Sequence, residues 1–189
     1  MRVGKSISYV LLLLAVTALA AAAQELPRKI RGYTVHKADI SVEQNTSRRA
    51  TGGSDAVISL SEPKLKELTP AGLTLEVSAQ IKSLAQSGKV DFLAFHGLQV
   101  NGIAVTVDEY REAFSFKKGE PVTLPKPASI FVPTTQILRA AMREMRDSKK
   151  EWTITGRVFV FGKFRKFGFE HKRVVPIDIH LTVANPIRS

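Results

Sequence analysis

The sequence predicts a predominantly β protein, an antiparallel β-sandwich that carries one amphipathic α-helix. Apolar and polar residues alternate in many short segments, as they do in strands that bury one face. Turn-forming glycine, proline and asparagine residues separate these segments at short intervals. One stretch in the second half instead repeats its apolar residues with the period of a helix. Many short strands with a single helix are typical of a sandwich.

The first segment, residues 1–23, is predicted to be a secretory signal peptide. Its start is positive, an apolar stretch follows, and three alanines end at Ala23. The apolar stretch is short for a transmembrane helix, which needs about 20 apolar residues. An uncleaved N-terminal anchor is the competing interpretation. Cleavage near Ala23 would release residues 24–189 to the periplasm or the extracellular space.

The next segment, residues 24–57, is predicted to be an N-terminal extension with one or two strands. Residues 33–42 mostly alternate, with a slip near Lys37 that suits a bulge. Residues 43–55 are polar and contain two adjacent glycines, which favours a flexible turn. Residues 56–60 are the second candidate strand of this extension.

The main domain is predicted to span residues 58–183, with a tail at 184–189. Clean alternation over residues 73–81 predicts a half-buried strand. The pair Asn101-Gly102 lies between apolar residues and favours a type I′ hairpin, because both turn positions need a positive φ. Further strands are expected at residues 90–95, 110–116, 121–124, 152–161 and 169–183.

The one helix is predicted at about residues 135–147, with Thr134 or Thr135 as its N-cap. Its apolar residues form one continuous stripe, made of Ile137, Leu138, Ala141, Met142 and Met145. We expect this stripe to pack on a sheet. A membrane-surface helix is also amphipathic and basic, but a short stripe without aromatic residues favours core packing.

Composition limits the classes of partner and chemistry. The net charge is +11, and 11 − 2 = +9 remains once Arg2 and Lys5 leave with the signal peptide. So basic a surface favours anionic partners, and an exported protein rarely meets nucleic acid, so an envelope surface comes first. With no cysteine, the chain has no disulfides, no thiolate chemistry and no site for a lipoprotein anchor.

No pattern in the chain predicts an enzyme. The four histidines have no metal-ligand spacing, and no cysteine could complete a metal site. Ser54 follows two glycines but lacks the second glycine of a nucleophile elbow, and no segment matches a phosphate-binding loop. We therefore predict no catalytic residue, no metal ligand and no cofactor site.

The hairpin tip near residues 162–168 is the one candidate binding site. Its cations and one aromatic ring are expected to contact an anionic surface, and they are Lys163, Phe164, Arg165, Lys166, Lys172 and Arg173. The alternately spaced rings of Phe159, Phe161, Phe167 and Phe169 are expected to fill the core. Phe164 should then point away from the core. The alternative is that the whole segment serves packing only.

Residues 68–77 (LTPAGLTLEV) resemble the opening strand of the globular late embryogenesis abundant proteins of the WHy (water stress and hypersensitive response) domain family. Matching features follow in the family's order over residues 58–179, at 98–105, 125–138, 152–158 and 174–177. The family usually has Asn-Pro after the strand that corresponds to residues 73–81, where this chain has Lys82-Ser83-Leu84-Ala85.

The resemblance implies a fibronectin-III/immunoglobulin-like sandwich with one helix and no catalytic residues. It also implies a role in desiccation tolerance, in which the protein protects client proteins from inactivation. The first hypothesis is thus a non-enzymatic, exported stress-protection or interaction domain of WHy type. The alternative is a peripheral envelope protein that binds anionic lipid through the basic hairpin.

Overall fold

The computed structural model describes residues 26–38, 40–44, 56–82, 84–146, 150–166 and 168–184, and within them the chain is mainly β. These residues form three hydrogen-bonded sheets and one α-helix, an arrangement consistent with a β-sandwich. The predicted signal peptide, the polar residues 45–55, Phe167 and residues 185–189 lie outside the described residues.

The largest sheet, called the long sheet here, is built around a hairpin of two 16-residue strands. Its strands are β1 (Lys29–Ile30), β2 (Tyr33–Val35), β8 (Ser87–Val100), β9 (Ile103–Ala104), β11 (Phe114–Phe116), β14 (Glu151–Lys166) and β15 (Phe169–Ala184). The order is β1-β2-β15-β14-β8-β11, and β9 also pairs with β8. Within it β2 and β15 run parallel, and the other pairs are antiparallel.

Two four-stranded sheets complete the β structure. The inner sheet has the order β12-β7-β4-β3, from β3 (Ile40–Gln44), β4 (Ala56–Leu60), β7 (Ala79–Lys82) and β12 (Val122–Thr123). The helix sheet has the order β10-β13-β6-β5, from β5 (Lys64–Thr69), β6 (Gly72–Val77), β10 (Thr106–Val107) and β13 (Ala128–Pro133). Helix α1 (Thr134–Arg146) packs against β13, β6 and β9.

The inner sheet and the helix sheet share chain segments that bend from one sheet into the other. The amide of Ser61 donates to the carbonyl of Ser78 at 2.8 Å, and the amide of Ser78 donates to Ser61 Oγ at 2.9 Å. Residues 73–81, predicted as a single strand, therefore form two strands that part at Ser78 and belong to different sheets. The change of sheet leaves the alternation of side chains nearly intact, so the sequence does not reveal it.

The main core lies between the long sheet and the inner sheet. Its buried members are Val90, Leu93, Tyr110, Phe114, Phe116, Phe164, Val175 and Ile177. Half-buried aliphatic residues of the inner sheet, including Ile40, Ile58 and Ile81, pack against them. The one buried phenol is satisfied, because the backbone amide of Lys126 donates to Tyr110 Oη at 3.0 Å.

The predicted type I′ hairpin is confirmed. Asn101 and Gly102 have φ values of 50° and 75° and connect β8 to β9.

Other predictions need correction: residues 33–42 form parts of two strands, separated by a stretch around Lys37 that belongs to neither. Strands β5 and β13 were not among the strands expected from the sequence.

The helix spans Thr134–Arg146, close to its prediction, but the prediction that its apolar stripe fills the core is wrong. The side chains of Leu138, Met142 and Met145 are 62%, 56% and 87% exposed. Instead, the half-buried residues of the helix include Ile137 and Ala140. The helix packs on strands along one narrow side only, so most of the side chains in its apolar stripe stay exposed.

Candidate functional site

The outer face of the long sheet, which faces away from the core, carries an aromatic cluster beside residues 28–38, the segment that contains β1 and β2 and is called the strap here. Phe92 and Phe161 stack on this face, with ring centroids 4.3 Å apart and planes at 13°. The ring of Tyr33, in the strap, meets both edge-on, at 6.0 Å and 5.2 Å. Phe161 and Val174 beneath it are 1% and 0% exposed, the most deeply buried large side chains described. The long sheet is therefore buried on both faces at Phe161 and Val174.

Polar contacts fix the strap in place. The Arg31 guanidinium lies over the two stacked rings, 5.6 Å and 5.8 Å from their centroids, and forms an ion pair with Glu109. Glu109 also accepts from Arg111 Nε at 3.1 Å. The hydroxyl of Tyr33 donates to Asp91 Oδ2 at 3.0 Å. Burial raises the pKa of Tyr33, and the hydrogen bond to the Asp91 carboxylate raises it further.

The Glu109 ion pair predicts a pH-dependent stability. The hydrogen bond from Arg31 holds the pKa of Glu109 below its ordinary value, and Arg111 lowers it further. A carboxyl with a depressed folded-state pKa stabilises the fold above its unfolded-state pKa, and that stability is lost as the pH falls through the folded-state pKa. The Glu109→Gln variant should therefore be less stable than the parent at neutral pH, and the difference should shrink below about pH 4.

Urea unfolding at a series of pH values measures this effect. The Glu62→Gln variant, at an exposed glutamate, controls for the loss of one negative charge. A constant difference in unfolding free energy between Glu109→Gln and the parent, from neutral to acidic pH, would contradict the assignment.

Three lysines lie side by side across the long sheet, and they are called the lysine row here. The register places Lys163 of β14 directly opposite Lys172 of β15 and directly opposite Lys89 of β8. Directly opposed residues share a face, with Cα atoms about 4.5–5.5 Å apart. Within the described residues none of the three forms an ion pair with a carboxylate. Because opposed like charges are destabilising, an external anion bound here would relieve repulsion.

The strap and the lysine row are adjacent. Lys172 Nζ lies 5.9 Å from the centroid of the Tyr33 ring, a cation–π distance. Lys163 follows Phe161 by two positions on the same face of β14, so it stands beside the stacked rings. The aromatic cluster thus gives the row a rigid base. Lys89 was not among the predicted site residues, since only the pairing of β8 with β14 brings it here.

The predicted orientation of Phe164 is wrong. Phe164 is 6% exposed and belongs to the main core, where its ring centroid lies 5.9 Å from that of Phe116. Phe169, predicted to be buried, is 71% exposed instead. Near Phe161 both faces of β14 carry apolar residues, so alternation alone could not show which set of alternate residues faces the inner sheet.

The remaining predicted cations are dispersed. Arg165 Nη2 lies 3.4 Å from Glu170 Oε1, so part of its charge is matched within the hairpin. Arg173 is half-buried and lies on the opposite face of β15 from Lys172. Lys166 lies opposite Phe169 at the end of the hairpin. Of the six predicted residues, the structure therefore brings Lys163 and Lys172 into one row.

A second unusual surface lies on α1 and β5. Leu65 and Leu68 of β5 are 63% and 71% exposed, and three apolar residues of α1 are exposed as well. The helix start is tied to the turn between β5 and β6, because Thr134 Oγ1 donates to the Pro70 carbonyl at 2.7 Å. The Thr134 amide also donates to the Ala71 carbonyl at 2.9 Å.

Two other kinds of site are absent from the described residues. No group of three or more His, Cys, Asp or Glu residues in this part of the chain is arranged to hold a metal ion. Among the helical residues that the structure describes, none belongs to a helix long and apolar enough to span a bilayer.

Comparisons with known proteins give only distant likenesses. No family model and no curated protein sequence matches the chain. A crystal structure of a protein from Archaeoglobus fulgidus aligns at 12% identity and a TM-score of 0.38, over 67% of this chain and 97% of that one. The solution structure of a protein classed as late embryogenesis abundant aligns at 14% identity and a TM-score of 0.26, over 69% and 72%. Likeness at this level assigns no function to the chain.

Proposed function

We propose that this protein is a non-enzymatic, exported interaction domain of WHy type, which protects other proteins by contact when water is lost. The sequence resemblance over residues 58–179 supports the family and a fibronectin-III/immunoglobulin-like version of the sandwich. The lysine row is the structural observation that supports the proposed mode of action. It places three cations side by side on one face of the sheet, and none has a carboxylate partner in the described residues. The signal-peptide pattern supports cleavage near Ala23 and release to the periplasm or outside the cell.

The proposed mechanism is electrostatic shielding. The row binds acidic patches on client proteins, where each added ion pair contributes modestly but three cations act together. A client covered by a domain of net charge 11 − 2 = +9 then repels other covered clients and keeps water at its surface. Aggregation during drying slows, and no chemistry is needed.

Charge reversal in the row tests this proposal. The Lys163→Glu and Lys172→Glu double variant should need on the order of ten times more protein to keep an acidic enzyme active through drying and rehydration. The matched control reverses Lys37 and Lys82 to glutamate, which are exposed and give the same net charge. Residual client activity and light scattering are the measurements. Equal protection by both double variants would exclude the row as the client-binding surface.

The second candidate function is binding of anionic lipid by the same hairpin. The exposed ring of Phe169 favours it, because an aromatic residue beside cations suits a headgroup interface. Co-sedimentation with vesicles of phosphatidylcholine, with and without phosphatidylglycerol, separates this function from client protection. Binding that needs phosphatidylglycerol, weakens in salt and is lost in the row double variant would support it; binding insensitive to salt would oppose it.

A further inference from the structure

Among the described residues, the exposed large apolar side chains are concentrated on two elements, α1 and β5. Of those in the described residues, only Phe169 lies outside α1 and β5. The members on α1 and β5 form what is called the apolar end here: Leu65, Leu68, Leu138, Met142 and Met145. Both elements neighbour β6, since α1 packs on it and β5 pairs with it. Single exposed apolar residues are ordinary, but five on two elements that both border β6 point to an interaction surface.

The two parts of the apolar end are each well defined. Leu138, Met142 and Met145 have the i, i+4, i+7 spacing that places them on one face of the helix. In β5, Leu65 lies opposite Leu75 and Leu68 opposite Leu73, so both leucines extend an apolar face of the helix sheet to its edge.

Cations are interspersed with these apolar residues. The sequences of β5 and α1 hold five cations and two acids, from Lys64, Lys66, Arg139, Arg143 and Arg146 against Glu67 and Glu144. Glu76 of β6 forms an ion pair with Lys66 at 2.7 Å, so the local charge is 5 − 3 = +2. Arg139 and Arg146 are exposed beside the apolar stripe. A second copy of this chain would bring the same cations to the contact and be repelled. A surface with negative headgroups above an apolar layer matches both features.

We infer that α1 and β5 form a membrane-docking surface that lies in the interface of an anionic bilayer. The leucine and methionine side chains enter the boundary between headgroups and acyl chains, about 5–10 Å deep, while the arginines and lysines contact phosphate groups. Interfacial helices of this kind combine strong amphipathicity, a cationic polar face and low overall hydrophobicity. The inference goes beyond the proposed function, because it concerns the other end of the molecule.

The position of the apolar end relative to the lysine row follows from the long strands. The helix packs against β9, which pairs with Val100 of β8, and Val100 lies opposite Ile154 of β14. The row lies at Lys163, nine residues farther along β14, a distance of about 30 Å. A protein docked by α1 would hold its lysine row away from the bilayer, where client proteins can reach it.

Site-specific labels test which end meets the lipid. The chain has no cysteine, so Met142→Cys and Phe169→Cys each give one attachment point for an environment-sensitive fluorophore. With vesicles of equal parts phosphatidylcholine and phosphatidylglycerol, the label at position 142 should shift to the blue and the label at 169 should not. The reverse result would overturn the inference and favour the hairpin, and no shift at either site would also overturn it.

A loss-of-binding experiment provides the second arm. The Leu138→Gln and Met142→Gln double variant should bind the same vesicles on the order of tenfold or more weakly, because two exposed apolar side chains leave the interface. The lysine-row double variant is the control and should bind within a factor of about two of the parent. Unchanged binding by the glutamine variant, or equal loss in the row variant, would overturn the inference.

Two further measurements separate the possible failures. Intact mass of the exported protein comes first, since a retained N-terminal apolar segment would itself enter lipid. Client protection is then assayed without lipid, where the glutamine variant should match the parent. Failure of client protection in the row variant and failure of vesicle binding in the glutamine variant are thus independent results.

Discussion

Replacement of Phe161 by alanine is expected to lower the free energy of unfolding by about 3–5 kcal/mol. Phe161 is 1% exposed, stacks on Phe92 at 4.3 Å and meets the edge of Tyr33 at 5.2 Å. Its loss would leave a cavity under the strap, which the stacked partner and the Arg31 guanidinium cannot fill without giving up their own contacts. Guanidinium unfolding, followed by the fluorescence of the single tryptophan, measures the change.

The Phe169→Ala variant is the matched control, since it removes the same side chain from a position that is 71% exposed. It should change the unfolding free energy by no more than about 0.5 kcal/mol. A loss below about 1 kcal/mol for Phe161→Ala would mean that the strap leaves the ring accessible in solution. Comparable losses at both positions would contradict the burial assigned to each.

Replacement of Gly162 by valine is the second change with a large expected effect, a loss of about 3 kcal/mol in unfolding free energy. A side chain there would meet the backbone of β8, at the Lys89 carbonyl oxygen and at Val90 Cα, 3.2 Å away. Backbone atoms cannot turn aside as a flexible side chain can, so β14 and β8 would have to separate at the register shift beside Gly162. Thermal unfolding measures the loss.

The Gly119→Ala variant separates lack of space from backbone conformation. An added Cβ at Gly119 meets nothing within 4 Å, but its φ of +76° is unfavourable for alanine and should cost about 1–2 kcal/mol. An unfolding loss for Gly162→Val no greater than that of Gly119→Ala would show that the strands can move apart easily. The larger loss at Gly162 would confirm the close approach of β14 to β8.

Local patterns predicted the β class and part of the strand content. The Asn101-Gly102 turn could be predicted because the positive φ of a type I′ turn depends only on those two residues. Strand β5 was missed because its side chains are nearly all exposed, so it carries no buried face to recognise. The position of α1 was predictable, but its orientation depends on which strands come beneath it, which no local pattern records.

The candidate site was predictable only in part, for a similar reason. Lys163 and Lys172 are close in sequence and were selected as part of one hairpin. Lys89 joins them through long-range pairing of β8 with β14. The side chain of Phe164 was assigned to the wrong face because β14 has apolar residues on both of its faces near Phe161. The outer face is apolar there because Tyr33 and Arg31 of the strap, far away in the chain, pack on Phe161.

Strand β15 holds a central place in the long sheet, paired along its length with β14 and, at Arg173 and Val174, with the sequence-distant strand β2. The long sheet therefore closes only when segments far apart in the chain have met. Such pairing is slow, because the entropy of a large loop is lost before the contacts form. We expect this sheet to be completed late in folding, after the local hairpins have formed.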